Sequence, residues 1–551
     1  MKKIALIGII MLAIGLRFWQ LGEVPVSPDW DEAALGYNAY SILKTGRDEY
    51  GTFLPRALRS FDDYKPPLYV YLAVPSVAVF GLNTWAVRLP AAVMGVFAVL
   101  GTYFLVAELF KQPHIKTKKR ISEFSTQALS LLTAFLLAIS PWHLQFSRIA
   151  FEANTGVTFN IWGLVAFFRG LQSLPWMAAS AFFFGLSLYA YHSERIFVPL
   201  LLLIVSVVCR KELFADRRKL LIGIVVGLLT VLPLLPVVLD KTSVTRLKGT
   251  STLSDATGLL MRSVAKLDDD QKVGNEIGTI FDNRRIVYAK TLLDGYLSHF
   301  SLRWLFLVGD NDRHHAPDNG LLYFWELPFM VWGIFSVWRR GGRAAMVLLS
   351  WVLVAPLAAS PTSETPHAIR TLVILPVLQI FIASGVMEFL THTKKYYEKR
   401  RTVFVWVPAG VLVTAVFLNI LFYFHMYYVH LNHEYSKFWQ YGYAQAVEYA
   451  ESHKAKYEKI VVSTALEQPH MFFLFYTKYD PVKYLASGGT SSGGFAEVKN
   501  RFDMYEFRPI SNWAKELHDG SILYIGSPRE LPGDAYTITY LNGDDAMRIS
   551  E

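Results

Sequence analysis

The chain has 551 residues, 53% of them hydrophobic and only 18% charged, with a formal net charge of +9. So few charges over this length exclude an ordinary soluble protein, and apolar runs of about 17–25 residues recur, each long enough to cross a bilayer. The runs are continuous, which excludes a β-barrel; Lys and Arg cluster between them as in cytoplasmic loops, which excludes a nucleic-acid binder; and the single cysteine, Cys209, excludes an internal disulfide or a cysteine metal site.

In chain order, MKKIALIGIIMLAIGLRFWQLG has the basic start and apolar core of a signal peptide. It lacks a small-residue cleavage site, so it is expected to remain as the first span. Cationic clusters follow at 111–120, Arg169, 210–219, 339–343 and 394–401. Placing them all in the cytoplasm orients the chain. The spans then fall at about 4–20, 86–109, 125–141, 156–170, 175–191, 196–209, 220–239, 321–338, 344–360, 371–390 and 402–424. That predicts a polytopic α-helical membrane protein of about 11 transmembrane helices, with the N-terminus cytoplasmic and the C-terminus outside. The run PPLYVYLAVPSVAVFG (66–81) is short, opens with two prolines and breaks this parity. It is expected to lie on, or dip into, the outer surface.

Two outer loops are long, 21–85 and 240–320, and a shorter one surrounds 142–155. A transmembrane domain of residues 1–424 is followed by an outer segment, 425–551. Within it YGYAQAVEYAESHKAKYEK reads as a helix, IVVST as a strand, 468–477 as a helix and ILYIG as another apolar run. These predict a small α/β domain, with ASGGTSSGGF (486–495) as a flexible loop inside it. No internal repeat is present, unlike inverted-repeat transporters.

Ionisable residues gather at the outer ends of the spans. Asp29, Asp31 and Glu32 follow the first, and Lys65 precedes Pro66-Pro67. His143, Arg148 and Glu152 lie in SPWHLQFSRIAFEAN. His192 and Arg195 lie in YHSER, and His367 and Arg370 in SETPHAIRT. Charges at membrane depth are costly and face cavities or partners. Taken singly, Arg148 or His143 reads as a snorkelling or salt-bridged interface residue. Acids and cations together at one surface suit an anionic lipid headgroup and a proton acceptor.

The segments PDWDEAALGYNAYSIL, YKPPLYVYL and VRLPAAVMGVFAVLGTYFLVAELF together resemble the N-terminal half of GT-C glycosyltransferases. The nearest likeness is to the bacterial protein O-mannosyltransferase-like group and the lipid A aminoarabinose transferases. SPWHLQFSRIAFEANTGV, GLLYFWELPFMVWGI and PHAIRTLVILP extend it over most of residues 1–390, and the tail lies outside it. The resemblance implies a GT-C fold with in-plane helices in the outer loops. It implies inverting transfer of a sugar from a polyprenyl-phosphate donor to a protein, lipid or glycan acceptor at the plasma membrane. Asp31 then falls on the catalytic carboxylate, Lys65 on the donor-phosphate contact, and Glu152 on a second acidic position where many members carry Asp. Arg195, His367 and Arg370 are carried over as donor-phosphate contacts, with Glu32, Tyr64, Arg148 and His192 as supporting residues. Tyr64 stands where the aminoarabinose transferase has an acid, which separates this chain from that enzyme's sugar and acceptor.

The chemistry fits these residue types. An acceptor hydroxyl loses a proton as it attacks, which a carboxylate assists. The transition state is oxocarbenium-like, and the leaving phosphate gains charge that Lys and Arg stabilise. No cofactor is required by this reading, and no metal ligands are assigned, although Asp31 and Glu152 would suit a divalent ion. In GDNDRHHAP (309–317) adjacent histidines cannot easily share one ion, so an ordered loop is expected there. LDDDQK (267–272) reads as a solvated acidic turn, and FYFHMYYVH (422–430) as an aromatic interface belt. A rival reading is a lipid-linked-sugar transporter or flippase, which needs polar residues near the bilayer midplane. Another is a non-catalytic envelope protein whose tail binds a partner.

Overall fold

The computed structural model describes residues 2–61, 63–111, 123–239, 249, 251–254, 257–400, 406–491, 500–516, 518 and 520–551. Most of the basic cluster at 111–120 and the end of the 486–495 loop lie outside the described residues. The chain packs as two compact units. The first comprises Met1–Ala98, His143–Thr155 and Ile420–Glu551; the second comprises Val99–Trp142 and Gly156–Asn419.

In the first unit, helix α1 (Lys2–Phe18) is followed by α2 (Trp30–Thr45). Asp29 starts α2 as its N-cap, and Glu32 closes a capping box with it. Gly46, at φ 70°, ends the helix in the left-handed conformation that glycine adopts without strain. Every residue from Glu32 to Ala39 is buried, so α2 is a core helix rather than a surface one. At Gly36 an added Cβ would stand 2.6 Å from Val87 and 2.8 Å from the Phe475 ring. The missing side chain is what lets those neighbours close in.

A short antiparallel hairpin, β1 (Leu58–Ser60) and β2 (Asp63–Lys65), pairs Leu58 with Lys65. Helix α3 (Leu68–Phe80) follows, then α4 (Thr84–Leu109). At 13 residues, α3 rises about 20 Å, short of the roughly 30 Å hydrocarbon core of a bilayer.

The tail builds a six-stranded mixed sheet from β3 (Lys459–Val462), β4 (Arg501–Phe502), β5 (Tyr505–Phe507), β6 (Ile522–Gly526), β7 (Tyr536–Thr539) and β8 (Asp545–Ser550). The strand order is β4-β5-β3-β6-β8-β7. Central β3 runs parallel to β5 and β6, and its apolar sequence is buried on both faces as such a strand requires. The expected helices occur at Tyr443–His453 and Pro469–Thr477. One apolar cluster runs from Ala34 and Tyr37 of α2 through Tyr69 of α3 and Phe472 and Phe473 into Ile460, Phe507 and Ile525 of the sheet. The first loop and the tail thus share one core.

The second unit is helical. Glu326–Arg340 crosses Val377–Arg400 at two glycines. A Cβ on Gly333 would stand 1.8 Å from the Phe381 carbonyl oxygen, and one on Gly385 would stand 1.9 Å from that of Phe329. Small residues at this crossing bring two backbones into contact, as apolar helices do in lipid. The stretch 267–272 is not a turn but the end of helix Thr257–Lys272, where Lys272 pairs with Asp269 in solvent.

Among the described residues, four stretches are long and apolar enough to cross a membrane: Thr84–Leu109, Arg217–Leu239, Leu372–Lys394 and Ala409–Tyr435. Leu221, Ile224, Leu228 and Leu229 leave the second with an uncovered apolar face, which suits contact with lipid.

Candidate functional site

The capping box sets the geometry of the first unit's site. Asp29 accepts the Glu32 backbone N–H at 2.9 Å, which fixes the first turn of α2 and with it Asp31 and Glu32. These neighbours then turn to different partners.

Glu32 is fully buried. Its carboxylate accepts Arg88 Nε at 2.9 Å and Nη2 at 2.7 Å, a two-point pairing, and the Ala150 backbone N–H at 2.7 Å. Arg88 spends its remaining donors on the carbonyls of Leu21, Pro25 and Ser27. The pair joins α2, α4 and the 143–155 segment. Glu32 therefore acts on the chain rather than on a ligand.

Asp31 is different. Its side chain stays about one-third exposed and accepts a hydrogen bond from Lys65 Nζ, delivered by the end of β2. Lys65 packs over the Phe61 ring. Burial alone would lower the pKa of Lys65, but Asp31 first, then Glu152 and Asp63, raise it above the ordinary value, so Lys65 is held as a cation. Glu152 is buried close to the same ammonium. Asp31 thus pairs with Lys65, and Glu152 and Asp63 add their negative charge to its surroundings. Tyr64 is half-buried beside Lys65 in β2, on the opposite face of the strand.

Arg148 is fully buried. It donates to the carbonyls of Leu16, Arg17, Trp19, Gln20 and Val24 and to the Tyr427 hydroxyl, and it lies over the rings of Tyr427 and Tyr428. Its work is to hold the turn that leaves α1. Tyr427 is thereby buried, so part of the expected aromatic belt packs inside the protein instead.

The remaining candidates lie in the second unit. His192 and Arg195 are half-buried at the start of helix Glu194–Val208. Arg370 donates from Nη1 to Thr362 Oγ1 at 2.7 Å and to the Ser363 carbonyl at 2.6 Å. His367 is buried, donates its backbone N–H to His299 Nε2 at 3.2 Å, and has its ring 5.1 Å from that of His314. Asp310 accepts from His314 Nδ1 at 3.1 Å and from the Ala368 N–H at 2.6 Å. Burial would raise the Asp310 carboxyl, but His314, His367 and the Ala368 amide overcome it and hold it at about 2. Burial, with His314 and Arg370 alongside, pushes His367 well below its usual range.

In the sequence His314 stands beside His315, and these neighbours are not expected to share one ion. The structure instead brings His314 together with Asp310 and His367, and the ligand-type atoms of the three lie within 4.8 Å of one another. Only the Asp310-x-x-x-His314 spacing hinted at it. Asp31 and Glu152 suit a metal less well, because the Lys65 ammonium already sits against Asp31.

No family model and no curated protein matches the chain. Solved structures do. ArnT from Cupriavidus metallidurans, in the apo state, aligns over 98% of this chain and 96% of its own at 14% identity and a TM-score of 0.54. The chain has a GT-C glycosyltransferase fold. ArnT bound to undecaprenyl phosphate matches this fold with the same score and identity, over 98% of this chain and 97% of its own. The archaeal oligosaccharyltransferase AglB from Archaeoglobus fulgidus, in complex with an inhibitory peptide and a dolichol-phosphate, aligns over 96% of this chain and 69% of its own at 12% identity and a TM-score of 0.50.

Proposed function

We propose that the chain is an inverting glycosyltransferase that moves a hexosyl or pentosyl group from a polyprenyl-phosphate donor to an acceptor on the outer face of a plasma membrane. In this reading the chain crosses the membrane about eleven times, with its N-terminus in the cytoplasm and the tail sheet outside. The observation that carries it is the half-open Asp31–Lys65 ion pair with Glu152 beside it. The ArnT and AglB structures with undecaprenyl phosphate and dolichol-phosphate support the donor class.

The pair suggests how the reaction begins. In a single displacement the nucleophile and the leaving group sit on opposite sides of the anomeric carbon, so the base and the phosphate contact cannot stay in touch. The donor phosphodiester, which gains a second negative charge as its bond to the sugar breaks, takes Lys65. Asp31 is released as general base for the acceptor proton. Lys65 then stabilises the charge that builds on the departing phosphate. Glu152 supports the cationic sugar. The test is turnover of a polyprenyl-phosphate sugar by purified, folded Asp31→Asn, with release of the polyprenyl phosphate as readout. Near-normal turnover would sink the reading.

A further inference from the structure

We propose that Asp310, His314 and His367 form a site for a zinc-class divalent ion that fastens the 309–317 loop to the 365–370 segment. The donor set is two imidazoles and one carboxylate, gathered within 4.8 Å. Nitrogen-rich sets of this kind select zinc and its neighbours, whereas magnesium and calcium take oxygen. Tetrahedral ligands about 2.1 Å from zinc stand roughly 3.4 Å apart. Side-chain rotation of about an ångström therefore closes the set.

Three further observations point the same way. His367 Nδ1 is buried without a hydrogen-bond partner among the described residues, an arrangement that is costly unless something binds there. The Ala368 N–H on Asp310 Oδ2 fixes that carboxylate from outside the cluster, as supporting hydrogen bonds do for metal ligands. Finally, the chain enters the loop through a π-helical turn, Trp304–Val308, and Gly309 at φ 63°, and such turns gather at functional sites. The Arg370 cation stands near His367 and opposes a second positive charge, which the Asp310 carboxylate offsets. Three protein ligands leave a coordination position for water or an anionic oxygen.

The test of this site does not depend on the transfer reaction. Full-length protein in detergent is stripped with a chelator, equilibrated with Zn²⁺ or Mg²⁺ and washed. Its metal content is then measured, and Co²⁺ is added separately to record ligand-field absorption. The expected result is retained zinc but not magnesium, a cobalt spectrum of tetrahedral intensity, and a Tm raised by zinc. His314→Gln and His367→Gln are each expected to weaken zinc binding at least tenfold, while His315→Gln leaves it unchanged. Testing both histidines keeps the outcome readable if one variant does not fold. No zinc retained by the native chain, or equal zinc in all three folded variants, overturns the proposal.

Discussion

Asp31 and Glu32 are adjacent in one turn of α2, and each faces a cation, yet their surroundings differ. Glu32 and Arg88 are sealed from solvent, with the carboxylate and guanidinium matched at two points and other donors filled by backbone. Asp31 and Lys65 meet where solvent still reaches the carboxylate. A sealed pair with every donor satisfied cannot exchange partners without unfolding its surroundings. An open pair held by one contact can. The contrast shows how one helix turn supplies both a sealed rivet and a carboxylate that solvent reaches, the one proposed as the base.

Substitutions can break or sharpen that contrast. Asp31→Asn should lower turnover about 10²–10⁴-fold, the usual share of a positioned base, with little change in Tm; an assay of polyprenyl phosphate release measures it. Glu32→Gln should do the reverse. It leaves Arg88 buried against a neutral amide, a loss of about 3–5 kcal/mol, seen as poor yield or a large fall in Tm. Lys65→Met should remove one charge-assisted contact, about 1.5–3 kcal/mol. That appears as a roughly 10–100-fold weaker apparent affinity for the donor, with folding retained. Asp29→Ala should cost about 1 kcal/mol as a lost N-cap, a small Tm shift with modest loss of turnover.

Much of the site was legible in the sequence because its signals are local. Asp29 before an apolar helix reads as a cap, and the Asp-Glu pair and Lys-Pro-Pro identify Asp31 and Lys65 as a motif. The tail's β-branched IVVST announced strand β3 and its helix at 468–477 was expected, while ILYIG, read only as an apolar run, forms β6. What was hidden depends on partners far apart in the chain. Nothing near Glu32 announces Arg88, and nothing near Arg148 announces the carbonyls after α1. Gly36 carries no local sign that Phe475 will press against it, so the shared core of α2 and the tail sheet appears only in three dimensions. The same holds for His367, whose association with Asp310 and His314 is a matter of folding, while the conspicuous neighbour His315 turns to the Ala316 carbonyl. The acidic run at 267–272 misled because solvated Asp residues look alike at a helix end and in a turn.

The most direct test of the division between Asp31 and Glu32 measures both properties on both variants in one preparation. Thermal unfolding and polyprenyl-phosphate-sugar turnover are recorded side by side for Asp31→Asn and Glu32→Gln. The account predicts a folded, native-like Asp31→Asn that has lost turnover, and a Glu32→Gln whose loss of turnover follows its loss of folded protein. A stable Glu32→Gln that is catalytically dead, beside an Asp31→Asn that still turns over, would contradict it.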